Sequence, residues 1–120
     1  MTKNRTTTRQ LGQAAEQAAR RFLEKNGFKL ETQNFSAKTG EIDLIMSKQD
    51  LLIFVEVRMR SDSRYGSGAD TVTRRKQQKI INTAKLYLQS QRELCWQSYR
   101  FDVISMSENI DWIPGAFTLD

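Results

Sequence analysis

Two short acidic segments carry the residue types best suited to chemistry. Residues 40–45 read Gly-Glu-Ile-Asp-Leu-Ile, and residues 54–58 read Phe-Val-Glu-Val-Arg. Both alternate apolar and polar residues, as half-buried strands do. A two-residue turn at Gln49-Asp50 joins them into an antiparallel hairpin, in which Asp43 lies directly opposite Glu56 and points to the same face.

Two opposed carboxylates repel each other unless a cation lies between them, and Mg²⁺ or Mn²⁺ is suited to that position. A bound ion would activate water, and Arg58, on the same face as Glu56, would stabilise charge that gathers on phosphorus. This arrangement predicts phosphodiester cleavage. Two alternatives stay open. Asp43 pairs with Arg58 on a partly exposed strand, or a three-residue turn places the two carboxylates on opposite faces.

The composition excludes several other kinds of site. The chain of 120 residues has no histidine and one cysteine, Cys95. It therefore lacks Ser-His-Asp and Cys-His catalysis, HExxH zinc sites and zinc fingers. It also lacks a GxxxxGK[ST] phosphate loop. No apolar run approaches a membrane span and no signal peptide is visible, so with its lone cysteine the chain is expected to be cytoplasmic, with no membrane partner.

The elements that must position these groups follow from periodicity and turn residues. The predicted order is α-β-β-β-α-β-β, a mixed sheet flanked by helices in a single α/β (α+β) domain over residues 10–120. Residues 1–9 are expected to form a disordered basic tail. The predicted helices are 10–25 and 74–91, the latter capped by Thr73. The predicted strands are 28–34, 41–47, 51–58, 98–105 and a short 110–113 that ends at Pro114-Gly115.

Two polar residues on the predicted helices stand out by their angular position relative to the apolar face of the helix. Glu16 lies at the border of the buried face of the first helix, where it could instead pair with Arg20 at i+4. Gln77 lies in the middle of the apolar stripe of the second helix, where a buried amide needs partners. Gln77 is therefore expected to point towards Asp43 and Glu56, unless the first turn of the helix lies beyond the core and the amide meets water.

The charge of +5 is unevenly distributed. An acidic centre at residues 39–63 lies between two basic arms, residues 1–38 and 64–100. This distribution suits a polyanion bound around a metal site, although solvated helix faces would give it too. The residues expected to contact phosphates begin the second helix: Arg74, Arg75, Lys76 and Lys79. Tyr65, in the loop before them, could stack on an unpaired base or simply pack.

Over residues 11–117 the sequence resembles the YraN family of small bacterial proteins. The matching residues are Gly12 with Glu16, Ala19 and Leu23; Asn34; the segments 40–45 and 54–58 with Arg60; Lys76-Gln77; residues 100–103; and Ala116-Phe117. The resemblance implies a restriction-endonuclease-like fold, similar to that of Holliday junction resolvases.

The superfamily's nuclease motif is an Asp followed by (D/E)-x-K on the next strand. Asp43 and Glu56 match it, and Arg58 stands where Lys is usual. The resemblance further implies that Glu16 joins Asp43 and Glu56 at the metal, that Lys76-Gln77 faces the site and that Arg60 contacts nucleic acid. Arginine stays protonated, so Arg58 could stabilise charge but could not act as a base.

Three functions follow from this reading. The first is a metal-dependent endonuclease that acts on branched or structured DNA, with Glu16, Asp43, Glu56, Arg58 and Gln77 as catalytic residues. The second is a nucleic-acid-binding module that lost turnover when Arg replaced Lys at position 58. The third is a protein-interaction domain. Cleavage of a two-fold junction would favour a homodimer.

Overall fold

A computed structural model of the chain describes residues 7–60, 72–91, 93 and 96–118. The elements are α1 (Thr8–Lys25), β1 (Lys29–Ala37), β2 (Gly40–Lys48), β3 (Leu51–Met59), α2 (Arg74–Ser90), β4 (Ser98–Met106) and β5 (Ile110–Phe117). Their order confirms the predicted α-β-β-β-α-β-β arrangement. The five strands form one mixed sheet in the order β1-β2-β3-β4-β5, in which only β3 and β4 run parallel.

The β2–β3 hairpin has the predicted register. Leu44 pairs with Val55 and Lys48 with Leu51, so the turn contains two residues. Gln49, the first of them, has a φ of 54°, the left-handed conformation that tight hairpin turns require. This pairing extends from Lys48 opposite Leu51 to Leu44 opposite Val55, one position short of Asp43 and Glu56.

Each face of the sheet is covered by one helix. On the α2 side the core includes Ile45, Phe54 and Phe101, which lie side by side on three neighbouring strands. On the α1 side it includes Leu44 and Val55, together with Ala19 and Leu23 of the helix. Glu56 shares the parity of Leu52 and Phe54 on the α2 side, which is why α2 can reach it. Along β2 the alternation is interrupted next to Asp43, because Ile42 and Ile45 both lie on the α2 side.

The first helix begins two residues earlier than predicted. The hydroxyl of Thr7 accepts a hydrogen bond from the Gln10 backbone N–H, and the Gln10 side chain accepts one from the Thr7 N–H. This reciprocal capping satisfies two N–H groups that would otherwise lack partners, so the helix starts at Thr8 rather than residue 10. Of the predicted tail, residues 1–6 lie outside the described part of the chain.

The last strand is longer than predicted. It continues through Pro114-Gly115 to Phe117, with an irregular register opposite β4. Proline lacks a backbone donor, which an edge strand tolerates. Gly115 takes a φ of 61°, and its N–H donates to Asp102 on β4, which holds the strand in place across the irregularity.

Neither of the two helices in the described residues is long and apolar enough to cross a membrane.

Candidate active site

The site lies where the β2–β3 ladder stops. The last backbone pair towards this end is Leu44 with Val55. One step further, the Val57 N–H donates to the Asp43 carboxylate at 2.8 Å instead of to a backbone carbonyl. The side chain of Asp43 therefore serves as a hydrogen-bond acceptor in the sheet, and it is held beside Glu56 at the point where the two strands cease to pair through their backbones.

Glu56 is buried, with 5% of its surface exposed, and two cations from different elements approach it. The Lys76 ammonium of α2 lies 3.1 Å from Glu56 Oε2. The nearest guanidinium nitrogen of Arg58 lies 3.8 Å from the same oxygen. Arg58 is thus an ion-pair partner of Glu56, and the alternative pairing of Arg58 with Asp43 is not formed among the described residues.

Burial, followed by the charge of Glu56, raises the pKa of Asp43 from its ordinary value of 3.8 to about 8. The hydrogen bond from Val57 opposes this shift without offsetting it. One carboxyl of the pair therefore retains a proton at neutral pH when no cation lies between them. A strongly raised pKa of this kind is typical of functional sites.

A second buried aspartate shows the contrast. Asp102 is fully buried and accepts four hydrogen bonds: two from Arg100 at 2.8 Å each, one from the Trp112 indole at 3.0 Å and one from the Gly115 N–H at 3.0 Å. Its charge is neutralised by the Arg100 guanidinium. Asp102 is a structural carboxylate that joins β4 to β5, whereas among the described residues Asp43 has one donor, with a second acid beside it.

Glu16 of α1 lies across the site from the pair. It lines the same cavity of about 340 Å³ as Asp43 and Glu56. Burial is the main reason that its pKa is raised, and hydrogen bonds to Asn34 and Gln33 of β1 oppose the shift. The alternative partner Arg20 pairs instead with Glu24, at 3.2 Å.

The predicted set of three carboxylate ligands is not assembled in the described residues. Within residues 7–60, 72–91, 93 and 96–118, no group of three or more Asp, Glu, His or Cys side chains could hold an ion together. The physical reason is that the Glu16 carboxylate bonds to the amides of Gln33 and Asn34. The pair Asp43 and Glu56 remains. It offers hard oxygen donors, the ligand type that Mg²⁺ or Mn²⁺ prefers.

The prediction for Gln77 was wrong, and its neighbour makes the contact instead. The Gln77 amide donates to the Val72 carbonyl at 2.9 Å, just before the helix. The residue lines a different cavity, with Ile81 and the Gly115 end of β5. The helical phase was correct, but in the first turn a nearby backbone carbonyl takes the amide. Lys76, which the resemblance implied would face the site together with Gln77, does reach Glu56.

The other predicted nucleic-acid contacts divide into two groups. Arg74, Arg75 and Lys79 are exposed on the first turns of α2, around the Lys76 ammonium. Arg60 is half-buried after β3, and its backbone N–H donates to Met106 at 2.7 Å. Tyr65 lies outside the described residues.

Sequence reasoning gave no role to Asn34, which bonds to Glu16 and has a φ of 55°. An asparagine within a strand-like run was the available signal, because this residue tolerates the left-handed conformation. Its conformation turns the polar side chain of β1 towards α1, where it fixes Glu16.

Comparison with known proteins places the chain among small bacterial relatives. Residues 15–106 match the model described as "Uncharacterised protein family UPF0102". A "UPF0102 protein" of Coxiella burnetii is 44% identical over 115 residues, which cover 94% of this chain and 96% of the relative. One of Ectopseudomonas mendocina is 42% identical over 89% of this chain and 93% of the relative. One of Vibrio parahaemolyticus is 39% identical over 92% and 93%.

Proposed function

The chain belongs to the uncharacterised protein family UPF0102, also called the YraN family, and within this family we propose that it is a metal-dependent endonuclease for branched or structured DNA. One observation carries the proposal: Asp43 and Glu56 are held together where β2 and β3 stop pairing, and Glu56 is approached by Lys76 and Arg58. Acids and bases converge at one end of the sheet, as phosphodiester cleavage requires.

In this proposal Asp43 and Glu56 hold one Mg²⁺ or Mn²⁺. When bound, the ion supplies an activated water and neutralises charge on the phosphate. Arg58 keeps its positive charge at any working pH, so it stabilises charge on phosphorus and does not take a proton. Lys76 neutralises Glu56 in the free protein. Once a divalent ion binds Glu56 in place of Lys76, the Lys76 ammonium is available to the substrate phosphate.

The exposed arginines and lysines of α2 supply the affinity for nucleic acid, because contacts with phosphates need no particular base sequence. Preference for branched DNA and pairing of two copies on a two-fold junction extend the proposal by resemblance to the resolvases. A cytoplasmic location agrees with a DNA substrate and with the lone Cys95.

The proposal is tested with labelled single-stranded, duplex and four-way DNA, incubated with Mn²⁺ or with EDTA. Asp43→Asn and Glu56→Gln should each lose cleavage, since an amide is a poor ligand for a hard cation. Asp111→Asn is the matched control, because it removes the same charge from an exposed position on β5. Cleavage that persists in Asp43→Asn would contradict the proposal.

The second candidate is a DNA-binding module without turnover. The observation in its favour is Arg58 at the position where the motif has a lysine. This candidate predicts binding that weakens with salt and no cleavage with any divalent metal, even in Arg58→Lys. Absence of DNA binding would favour a protein-interaction domain instead.

A further inference from the structure

Gly12 is the fifth residue of α1, inside the helix, where glycine lowers stability relative to alanine. The other glycines in the described part of the chain have backbone conformations that favour glycine, with φ values of 92° at Gly27, 147° at Gly40 and 61° at Gly115. Gly12 does not share that reason, because its φ is not positive. The backbone alone therefore does not explain a glycine here.

Internal packing does not explain it either. A Cβ added at Gly12 would meet no heavy atom within 4 Å. One and two turns further along, Ala15 and Ala19 are buried against the sheet, with 8% and 0% of their surfaces exposed. Gly12 lies beyond that contact, so a larger side chain would extend into open space rather than into the protein.

The open space at Gly12 belongs to the candidate active site. Gly12 and Glu16 border two cavities, one of about 400 Å³ and one of about 340 Å³. The first also contacts Arg9, Asn34 and Glu41, and the second contains the carboxylate pair with Arg58 and Lys76. Together they form a groove along α1, here called the α1 groove, whose floor at Gly12 is bare helix backbone.

We propose that one strand of a nucleic acid lies in the α1 groove, with its sugar-phosphate chain directly against the helix backbone at Gly12. This inference rests on the proposed function and adds where the strand runs. Arg9 lies at one end of the groove and the cations Arg58 and Lys76 at the other, which suits a polyanion. The absence of a side chain at Gly12 lets the sugar-phosphate chain of the nucleic acid approach closely enough to reach the carboxylate pair.

The carboxylates that line the α1 groove set a condition on this binding. Glu16 and Glu41 would repel phosphates, and Lys76 is engaged with Glu56 in the free protein. The strand therefore enters favourably only when a divalent cation binds Asp43 and Glu56 and releases Lys76. Binding at Gly12 should therefore depend on the cation. Contacts made by the exposed arginines of α2 should not.

The test compares wild type with Gly12→Ala and Gly12→Leu, using fluorescein-labelled single-stranded and four-way DNA and fluorescence anisotropy in Ca²⁺ or in EDTA. In Ca²⁺, Gly12→Ala should weaken binding about tenfold and Gly12→Leu about a hundredfold, as expected for overfilling a closely fitted contact. In EDTA the differences should disappear. The melting temperature of Gly12→Ala should rise by a few degrees, because alanine favours the helix, so weaker binding would not reflect unfolding.

Gln17→Ala is the matched control. It raises the helix propensity of α1 slightly from an exposed position outside the α1 groove, and DNA binding should not change. Wild-type binding that both Gly12 variants retain in Ca²⁺ would overturn the inference and leave the proposed function intact. Wild-type protein that binds none of these DNAs would overturn both.

Discussion

Asp43 and Asp102 are both largely buried aspartates in one sheet, and their partners determine what each can do. Asp102 accepts four hydrogen bonds and faces an arginine. Asp43 accepts one from Val57 and faces Glu56. A carboxylate that the fold has fully satisfied has no capacity left for a ligand, so of these two aspartates Asp43 is the one that could still accept a ligand.

The first prediction concerns the pH dependence of stability without metal. Asp43 in the unfolded chain releases its proton near pH 4, but in the folded chain only near pH 8. Between these values the folded state binds more protons, so the free energy of unfolding should fall as pH rises. Asp43→Asn should remove most of this fall and be more stable than wild type at pH 8 by roughly 2 to 4 kcal/mol.

Urea denaturation in EDTA at several pH values between 4 and 9 measures this effect. Adding Mn²⁺ at pH 8 should stabilise wild type and have little effect on Asp43→Asn, because the ion compensates the carboxylate charge. Equal pH profiles for the two proteins in EDTA would show that Asp43 ionises normally.

The second prediction concerns Arg58. Arg58→Ala should abolish cleavage, because the fixed charge beside Glu56 is lost. Arg58→Lys should retain or raise cleavage, since it restores the usual motif. Single-turnover rates with Mn²⁺ measure both variants. If Arg58→Ala cuts as fast as wild type, the electrostatic role assigned to Arg58 is wrong.

The third prediction concerns Lys76, whose ammonium competes with a divalent ion for Glu56. Lys76→Met should lower stability in EDTA by about 1 kcal/mol, since the side chain is nearly half exposed. The same change should raise the affinity for Mn²⁺ about fivefold. Isothermal titration with Mn²⁺ gives the affinity, and Lys85→Met, exposed on the same helix, is the matched control. An unchanged Mn²⁺ affinity would place the ion away from Glu56.

At the scale of elements, the β2–β3 hairpin could be predicted because its register has a local determinant. The two-residue turn at Gln49-Asp50 fixes the register, which is as predicted over residues 44–48 opposite 51–55. The backbone pairing ends before it reaches Asp43 and Glu56. Gln77 could not be placed in the same way. Helical phase gives the direction of a side chain around the helix axis. Which hydrogen-bond acceptor that side chain reaches depends on the tertiary structure.

The length of β5 shows the same limit. Pro114-Gly115 is a strong local signal for the end of a strand. In the structure, the buried carboxylate of Asp102 accepts the Gly115 N–H and carries the strand past that signal. The two residues are 13 positions apart, so the contact that overrides the local signal cannot be read from the local sequence.

The fourth prediction belongs to this pair of strands. Asp102→Ala should lower the free energy of unfolding by roughly 2 to 4 kcal/mol, because the Trp112 indole and the Gly115 N–H lose their acceptor and Arg100 loses its partner. Urea denaturation measures the loss. Arg20→Ala is the control, since it breaks an exposed pair with Glu24 and should cost less than about 1 kcal/mol. If Asp102→Ala lowered the free energy of unfolding as little as Arg20→Ala does, β5 would be held by other contacts.

At the scale of the whole molecule, the proposed function assigns affinity and chemistry to different charged groups. The exposed cations of α2 lie outside the carboxylate pair, and their attraction to phosphate acts over a distance and needs no ion. In the proposal, the carboxylates act only with a bound divalent ion. The charge blocks of the sequence predict this separation, and the resemblance adds that Lys76 of α2 faces the site as well as phosphate.

The last prediction follows from that separation. In EDTA, Asp43→Ala and Glu56→Ala should bind duplex DNA at least as tightly as wild type, because removing negative charge near a polyanion does not weaken attraction. Arg74→Ala and Arg75→Ala should each weaken binding. Each should also lower the slope of log affinity against log salt by about 0.9, the value expected when one phosphate contact on duplex DNA is lost.

Anisotropy titrations at several salt concentrations measure these slopes. Lys25→Ala is the control, because it removes one exposed positive charge from the far end of α1, away from the carboxylate pair. A slope reduced as much by Lys25→Ala as by Arg74→Ala would mean that DNA responds to net charge alone. A slope reduced only on α2 would locate the phosphate contacts on the helix that also brings Lys76 to Glu56.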